Sequence, residues 1–355
     1  MKLTILDYLP DRLLELPASA LHQELDGPTL IHIPGYHEQP LFVSVLQHGN
    51  EVTGWDAVRR LLTSHYQFDH LPRSMLLYIG NVEAARHGVR HLDRQPDFNR
   101  CWPGGDNGDS EFHALFREVT EIARQSDPIA SIDVHNNTGQ NPHYGAVNQM
   151  DSRFFRLASM FSNTVIYFTM PHGVQSQAFS EFCPAVTLEC GQAGNIHSAD
   201  HTMAYLETCL NLEELKADPL PAGSFDLFHM VATVHIDKQM SLGIAQPQMN
   251  ISLIKDLDLF NFRELPAETV FGNINGVRRP PLVATNTEGE VTTSHYFRFD
   301  GGEIRTTRPI MPSMLTDDIR VIHQDCLCYL MERLDPDTYH HPEIEPLPEP
   351  SAFQG

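Results

Sequence analysis

Three short apolar-rich runs constrain this chain more than any other feature, because each stops at a residue able to bind a metal or move a proton. Phe42-Val43-Ser44-Val45-Leu46 leads into Gln47-His48-Gly49-Asn50-Glu51. Ile129-Ala130-Ser131-Ile132-Asp133-Val134 delivers His135, and Ala185-Val186-Thr187-Leu188 ends on Glu189. Runs of roughly four to eight such residues, bounded by turn signals, read as buried strands. Open α/β sheets place their chemistry where strands end and loops begin. The stretch around His48 is therefore the organising point of the chain.

Segments of helical period alternate with the strands. The spacing predicts helices over 8–25 (apolar side Leu13, Leu14, Leu16, Leu21), 55–66, 112–124, 153–161 and 198–215, the last with Ser198 as N-cap. Further strands are expected at 29–33, 74–79 and 164–168, and a long Arg-, Asp- and Gly-rich loop over 82–106. Loops of that length inside a compact domain are often functional. Alternation of this kind argues for an α/β sheet flanked by helices. Composition shifts near Asp218-Pro219-Leu220-Pro221. The expected organisation is a catalytic domain over 1–220, then a smaller β-rich domain over 221–334, including runs at 230–236 and 291–299. A helix over 317–334 closes that domain, and 335–355 is a flexible proline-rich tail.

At 355 residues the chain can form one large domain or two ordinary ones. With 41% hydrophobic and 20% charged residues it fits a globular protein. No apolar run approaches the roughly 18 residues that span a bilayer, and acids interrupt the N-terminus too early for a secretory segment. A cytoplasmic protein with no membrane partner is expected. A net charge of −22 argues against a nucleic-acid partner, which needs clustered Lys and Arg. An anionic substrate would need a local basic cluster, and Arg86, Arg90, Arg94 and Arg100 offer one. Cys101, Cys183, Cys190, Cys209, Cys326 and Cys328 lack Cys-x-x-Cys spacing, so buried thiols are expected, the last two on a helix.

His48 and Glu51 lie three residues apart after one strand, and His135 follows another. Two His and one Glu leave a fourth position open on zinc, the pattern of a catalytic site. Glu189, at a third strand end, is the right type for a general base. Each residue alone is more often structural: a His after a strand usually caps a turn, and a lone Glu usually sits in a rim salt bridge. About one His-x-x-Glu is expected by chance in such a chain; His340 and Glu343, in the tail, are read as that chance match. His197 and His201 are read as a helix-surface pair. Asp133, on the same side of its strand as His135, either orients that ligand or is structural. No Gly-x-Ser-x-Gly elbow and no phosphate-binding glycine loop is present.

The chain also resembles the succinylglutamate desuccinylase and aspartoacylase family of zinc-carboxypeptidase-like enzymes. The match runs through His48-Gly49-Asn50-Glu51, the Asn81 region, Asp97-Phe98-Asn99-Arg100, Asp133-Val134-His135-Asn136 and Thr187-Leu188-Glu189-Cys190-Gly191. These five motifs, in the family's order, cover most of residues 41–200. The resemblance implies one zinc held by His48, Glu51 and His135, with Glu189 as base. It also implies substrate binding by Asn99 and Arg100, with Arg100 polarising the scissile carbonyl. The chain is two residues longer than the family pattern before Arg100, so Arg90 and Arg94 are both candidates for the remaining substrate arginine. Members acting on acidic acyl groups carry another Arg about ten residues before the catalytic Glu, whereas 157–215 here contains no Lys or Arg, and Phe179 sits near that place.

The expectation is a zinc-carboxypeptidase-like α/β fold and hydrolysis of an amide bond, other than a peptide bond, in a small N-acyl amino acid. The pocket is expected to require the substrate's free carboxylate and to prefer a neutral or aromatic acyl group, with Tyr167, Met170, Phe179 and Phe182 as candidate wall residues. Arg278, Arg279 or Arg298 of the second domain are the candidates for a missing cation. The alternatives are a metallocarboxypeptidase or peptide amidase on the same fold, and a non-catalytic zinc-binding protein. An oligomer is compatible with either.

Overall fold

The computed structural model describes residues 2–66, 70–105, 108–276 and 280–334. Strands β1 (Thr4–Leu6), β2 (Thr29–Ile33) and β3 (Gly35–Val45) precede helix α1 (Thr53–His65), strand β4 (Leu71–Ile79) and short helix α2 (Val82–His87). Helix α3 (Glu111–Gln125), β5 (Ala130–Asn137), β6 (Tyr144–Val147), α4 (Ser152–Ser159), β7 (Thr164–Tyr167), α5 (Gln175–Phe179), β8 (Ala185–Gln192) and α6 (Ile196–Leu210) follow. β4, β3, β5 and β8 lie side by side and parallel, so their carboxyl ends share one edge. β5 is buried along its whole length, as a central parallel strand covered on both faces must be. Helices α1 and α6 pack together on the sheet, while α5 packs against β5, β8 and α3.

The C-terminal half comprises β9 (Asp226–Ile236), β10 (Leu242–Ile244), β11 (Ile251–Leu253), β12 (Val270–Ile274), β13 (Leu282–Asn286), α7 (Thr293–Tyr296), β14 (Phe297–Arg298), β15 (Glu303–Thr306), β16 (Met311–Ser313), α8 (Ile319–Gln324) and β17 (Cys328–Leu334). It does not stand apart. Among the described residues β9, β17, β16 and β13 extend the central sheet to 12 strands, and β10-β11-β12-β15-β14 forms a second sheet. Among the described residues three apolar clusters result: one beneath the parallel strands, one between β9, β13, β17 and the small sheet, and a small one of Tyr144, Ala146, Ile166, Phe228, Met311 and Met331.

Several local expectations change. Residues 8–25 form two 3-10 turns, Leu13–Glu15 and Ala18–Gln23, instead of a helix. Pro17 lies between them, and proline inside a helix removes a hydrogen bond and clashes with the preceding turn. The 82–106 loop contains α2, capped by Asn81 and ended by Gly88 at φ 62°. It also contains a 3-10 turn, Phe98–Arg100. Helix α6 is capped by Asn195, which places Ser198 inside its first turn, and it ends at Leu210. Residues 291–299 fold as α7 plus the two-residue β14. The closing helix over 317–334 is only six residues of α8; Cys328 onward is β17, paired with β9 and β16 on its two sides. Pairing on both edges outweighs the helical pattern there. Cys326 and Cys328 are buried free thiols as expected, but lie at and before this strand. The 335–355 tail, with His340 and Glu343, lies outside the described residues.

One glycine sets the geometry of the site. Helix α2 lies flush on the His48–Glu51 turn, and a Cβ on Gly49 would fall 2.1 Å from the Ala85 amide nitrogen. Gly49→Ala should therefore lower stability by about 1–3 kcal/mol, the usual cost of overpacking. Thermal unfolding would register this as a fall in Tm.

Candidate metal centre and pocket

At the end of β3, Leu46 takes a left-handed conformation at φ 57°. Such strain in a non-glycine residue persists where the surroundings over-determine it. Here the Gly80 and Asn81 amides donate to the Val45 and Leu46 carbonyls and hold the reversal. Trp102 anchors the facing loop, its ring against Phe116, Tyr78 and Phe179 and its Nε1–H donating to Gln47 Oε1 at 2.7 Å.

The turn delivers His48 and Glu51 opposite His135. Glu51 Oε1 lies 2.8 Å from His48 Nδ1, and Oε2 lies 2.8 Å from His135 Nδ1. All three side chains are buried. One donor atom from each lies within 4.8 Å of the others, close enough to surround a single ion. The opposite ring nitrogens are also engaged. His48 Nε2 is 2.9 Å from Asp97 Oδ1, and His135 Nε2 is 2.8 Å from Asp133 Oδ2. A carboxylate on the far nitrogen fixes the ring's tautomer and orientation and raises its basicity as a ligand. Asp133 is itself held by Gln47 Nε2 at 2.8 Å, and the Asn136 amide donates to Glu51 Oε2 at 3.2 Å. Both histidines, the glutamate and their backing carboxylates thus suit one borderline divalent ion such as zinc.

Electrostatics point the same way. Burial alone would raise the Glu51 pKa, but His48 and His135 hold it well below the usual carboxylate range. Burial, and Arg90 beside His48, would lower the imidazole pKa values; Glu51 with Asp97 or Asp133 reverses this and raises both. Protons and a metal ion therefore compete for the same nitrogen atoms.

Glu189 pairs in register with His135 across β5–β8, and with Tyr144 across β8–β6. Burial lifts its pKa to about 7, with Glu51 adding to the rise and His135 opposing it. Asn137 Nδ2 donates to it at 3.4 Å. Asn99 is buried beside His135, with its Nδ2 3.3 Å from the ring's Nε2, and its Oδ1 accepts from the Gln175 amide at 3.0 Å.

The candidate arginines separate. Arg94 is 75% exposed and pairs with Glu83 on the surface. Arg90 and Arg100 both line the chamber beside His48, Glu51, His135 and Glu189. Neither lacks a counterion: Arg90 donates twice to Asp97 Oδ2, at 3.1 and 2.8 Å, and Arg100 Nη2 donates to Asp325 Oδ1 at 2.9 Å. One side of the chamber wall is apolar, with Ile166, Phe168, Met170, Met230, Met314 and Met331, and Tyr144, Thr187, Ser313, Asp325 and Tyr329 also line it. Of the four expected wall residues only Met170 lines it. Phe179 is core, packed edge-on against Trp102 and at a tilt against Phe42 and Phe182. Arg298 is at the surface with Glu268 and Asp300, and Arg278 and Arg279 lie outside the described residues.

His197 and His201 sit exposed on α6, away from the chamber, His201 stacking on His143. Sequence reasoning missed the part played by Asp97, although it stands in the Asp-Phe-Asn-Arg motif. It also missed Asp325, Tyr144, Tyr329 and three of the methionines, which carry no local signal.

Fold and site together define a zinc-carboxypeptidase-like α/β protein with a buried two-histidine, one-glutamate centre. Residues 39–214 match the model of the succinylglutamate desuccinylase/aspartoacylase catalytic domain. The chain belongs to that family, whose activity is hydrolytic deacylation. None of the curated protein sequences matches the chain significantly. Among solved structures it is similar to succinylglutamate desuccinylase from Chromobacterium violaceum, at 16% identity and TM-score 0.53, covering 84% of this chain and 85% of that one. It is similar also to murine aminoacylase 3, at 14% identity and TM-score 0.55, covering 84% and 96%. A third is the ectoine utilization protein EutE (DoeB) of Ruegeria pomeroyi, at 14% and 0.53, covering 86% and 88%. At such identities the likenesses show a shared fold. Among the described residues no helix is long and apolar enough to cross a membrane.

Metal analysis tests the centre. His48→Ala and His135→Ala should each lose the bound metal. Asp133→Asn should keep the fold and weaken metal affinity about 10–100-fold, as loss of a backing carboxylate does. Full metal retention in either histidine variant would remove that residue from the centre.

Proposed function

We propose that the protein is a zinc-dependent amidohydrolase that cleaves the amide bond of a small N-acyl amino acid compound. The observation that carries this reading is the half-buried Glu189, in register with His135 of the three-donor centre and lining the same chamber. Zinc held by His48, Glu51 and His135 would supply a Lewis acid that acidifies water and polarises a carbonyl. Glu189 takes the proton from the attacking water and passes it to the leaving nitrogen. The Arg100 guanidinium, on the chamber wall, stabilises the negative charge that develops on the carbonyl oxygen. Asn99 positions His135, and Arg90 holds Asp97 against His48. All six cysteines are buried free thiols, which suits the reducing cytoplasm.

The apolar wall bears on the acyl group. Among the described residues, Arg90 and Arg100 are the only cations lining the chamber. A carboxylate on the acyl chain would face methionine and phenylalanine side chains, and burying it unpaired is strongly unfavourable. Acetyl and benzoyl derivatives of one amino acid should therefore be cleaved with higher kcat/KM than the succinyl derivative. A strong preference for the succinyl compound would overturn that assignment.

Glu189→Gln should retain metal and fold while kcat falls about 10²–10⁴-fold, the usual contribution of a general base. Near-native turnover in that variant would make Glu189 structural. The base must be ionised to act, so activity is lost as pH falls through its pKa. Burial raises the pKa of Glu189 and a bound zinc would lower it, so the wild-type kcat/KM should show an acid limb as Glu189 is protonated. An acid limb that persists unchanged in the residual activity of Glu189→Gln would exclude Glu189 as the titrating base.

A further inference from the structure

The two arginines of the chamber are already matched by carboxylates of the chain itself. Asp325 reaches both: its Oδ1 accepts from Arg100 Nη2 at 2.9 Å, and its Oδ2 accepts from Arg90 Nη2 at 3.4 Å. Its side chain is 17% exposed, and it lines the chamber. It lies between α8 and β17, with backbone angles of φ −119° and ψ −99° that end the helix and turn its side chain back toward the arginines. With Asp97 on Arg90, and Glu51 of the metal centre 3.7 Å from Arg90 Nη1, each guanidinium group already has a carboxylate partner within the chain.

Asp325 also borders a second cavity. This outer pocket shares Arg100, Met170, Met230, Asp325 and Tyr329 with the metal chamber and continues past them. The metal chamber holds about 100 Å3 and the outer pocket about 190 Å3, so much of the free space lies beyond the Arg100–Asp325 pair. Among the described residues, what the outer pocket adds carries no further carboxylate, Lys or Arg: Ala232 and the polar side chains of Thr233, His235, Thr285, Asn286 and Thr287.

We propose that Asp325 is a specificity-determining residue: its carboxylate fills the arginine pair from within, and the leaving half of the substrate is an uncharged polar group that extends into the outer pocket. The proposal rests on the amidohydrolase reading for the term "leaving half" and replaces the expected requirement for a free carboxylate. A substrate carboxylate could take the paired Nη2 groups of Arg90 and Arg100 only by displacing Asp325, which would leave a buried carboxylate without its partners. A carboxamide or hydroxyl keeps the ion pairs intact and finds hydrogen-bonding threonines beyond them.

The test compares N-benzoylglycine with N-benzoylglycinamide. Binding is measured by calorimetry on zinc-loaded full-length Glu189→Gln protein, where turnover is slowed about 10²–10⁴-fold, with and without Asp325→Asn. With Asp325 present, the amide should bind as tightly as the acid or more tightly. Asp325→Asn should shift the ratio toward the acid by about tenfold or more, the scale of one charge-assisted hydrogen bond. A preference for the acid of tenfold or more with Asp325 in place would overturn the proposal, and this arm needs no second substitution to fold. So would a folded Asp325→Asn protein, judged by an unchanged Tm, whose ratio does not move. Hydrolysis by the zinc-loaded wild type is assayed separately. Absence of any amide cleavage there would sink the amidohydrolase reading, while the binding ratio would still decide the role of Asp325.

Discussion

The parallel alignment of β3, β5 and β8 is the constraint on which everything else depends. Because these strands run side by side in one direction, their carboxyl ends meet at one edge, and each delivers a group there. β3 delivers the His48–Glu51 turn, β5 delivers His135, and β8 delivers Glu189 in register with His135. A one-residue slip between β5 and β8 would turn Glu189 to the opposite face of the sheet, since side chains alternate along a strand. Register is pinned by the burial of both faces.

Around that edge the protein concentrates carboxylates and then neutralises them in pairs. Glu51 lies between two imidazoles, Asp133 and Asp97 back the far ring nitrogens, and Asp97 also grips Arg90. Asp97 is thus the link between the centre and the arginine cluster, and both His48 and Arg90 hold its pKa well below the usual range against the effect of burial. Such a network is costly if incomplete, because each buried charge depends on its partner. Its members should respond to substitution as a unit rather than additively.

The C-terminal half completes the chamber instead of merely covering it. β9 and β17 join the same sheet and bring Met230, Tyr329 and Met331 to the wall, and the bend before β17 brings Asp325 to the arginines. The proposed catalytic groups therefore come from residues before 200, whereas Met230, Met314, Asp325, Tyr329 and Met331 of the chamber wall come from residues after 225.

The three strand ends and their reactive residues were legible in the sequence because burial of parallel strands demands apolar runs, and any polar residue that ends one stands out. His48, Glu51, His135 and Glu189 all met where that reasoning expected. Asp133, ambiguous in sequence, became a partner of His135 once the strand fixed both side chains on one side. Local pattern misled where proline or edge pairing prevailed, at residues 8–25 and in β17. It had no power over Asp97, Asp325 or the methionine wall, nor over the choice between Arg90 and Arg94. Those depend on contacts between segments more than two hundred residues apart in some cases, as between Arg100 and Asp325. Ligand type and strand period are properties of short stretches, and sequence determines them; the charge balance of a cavity is a sum over distant segments, which only the packed chain decides.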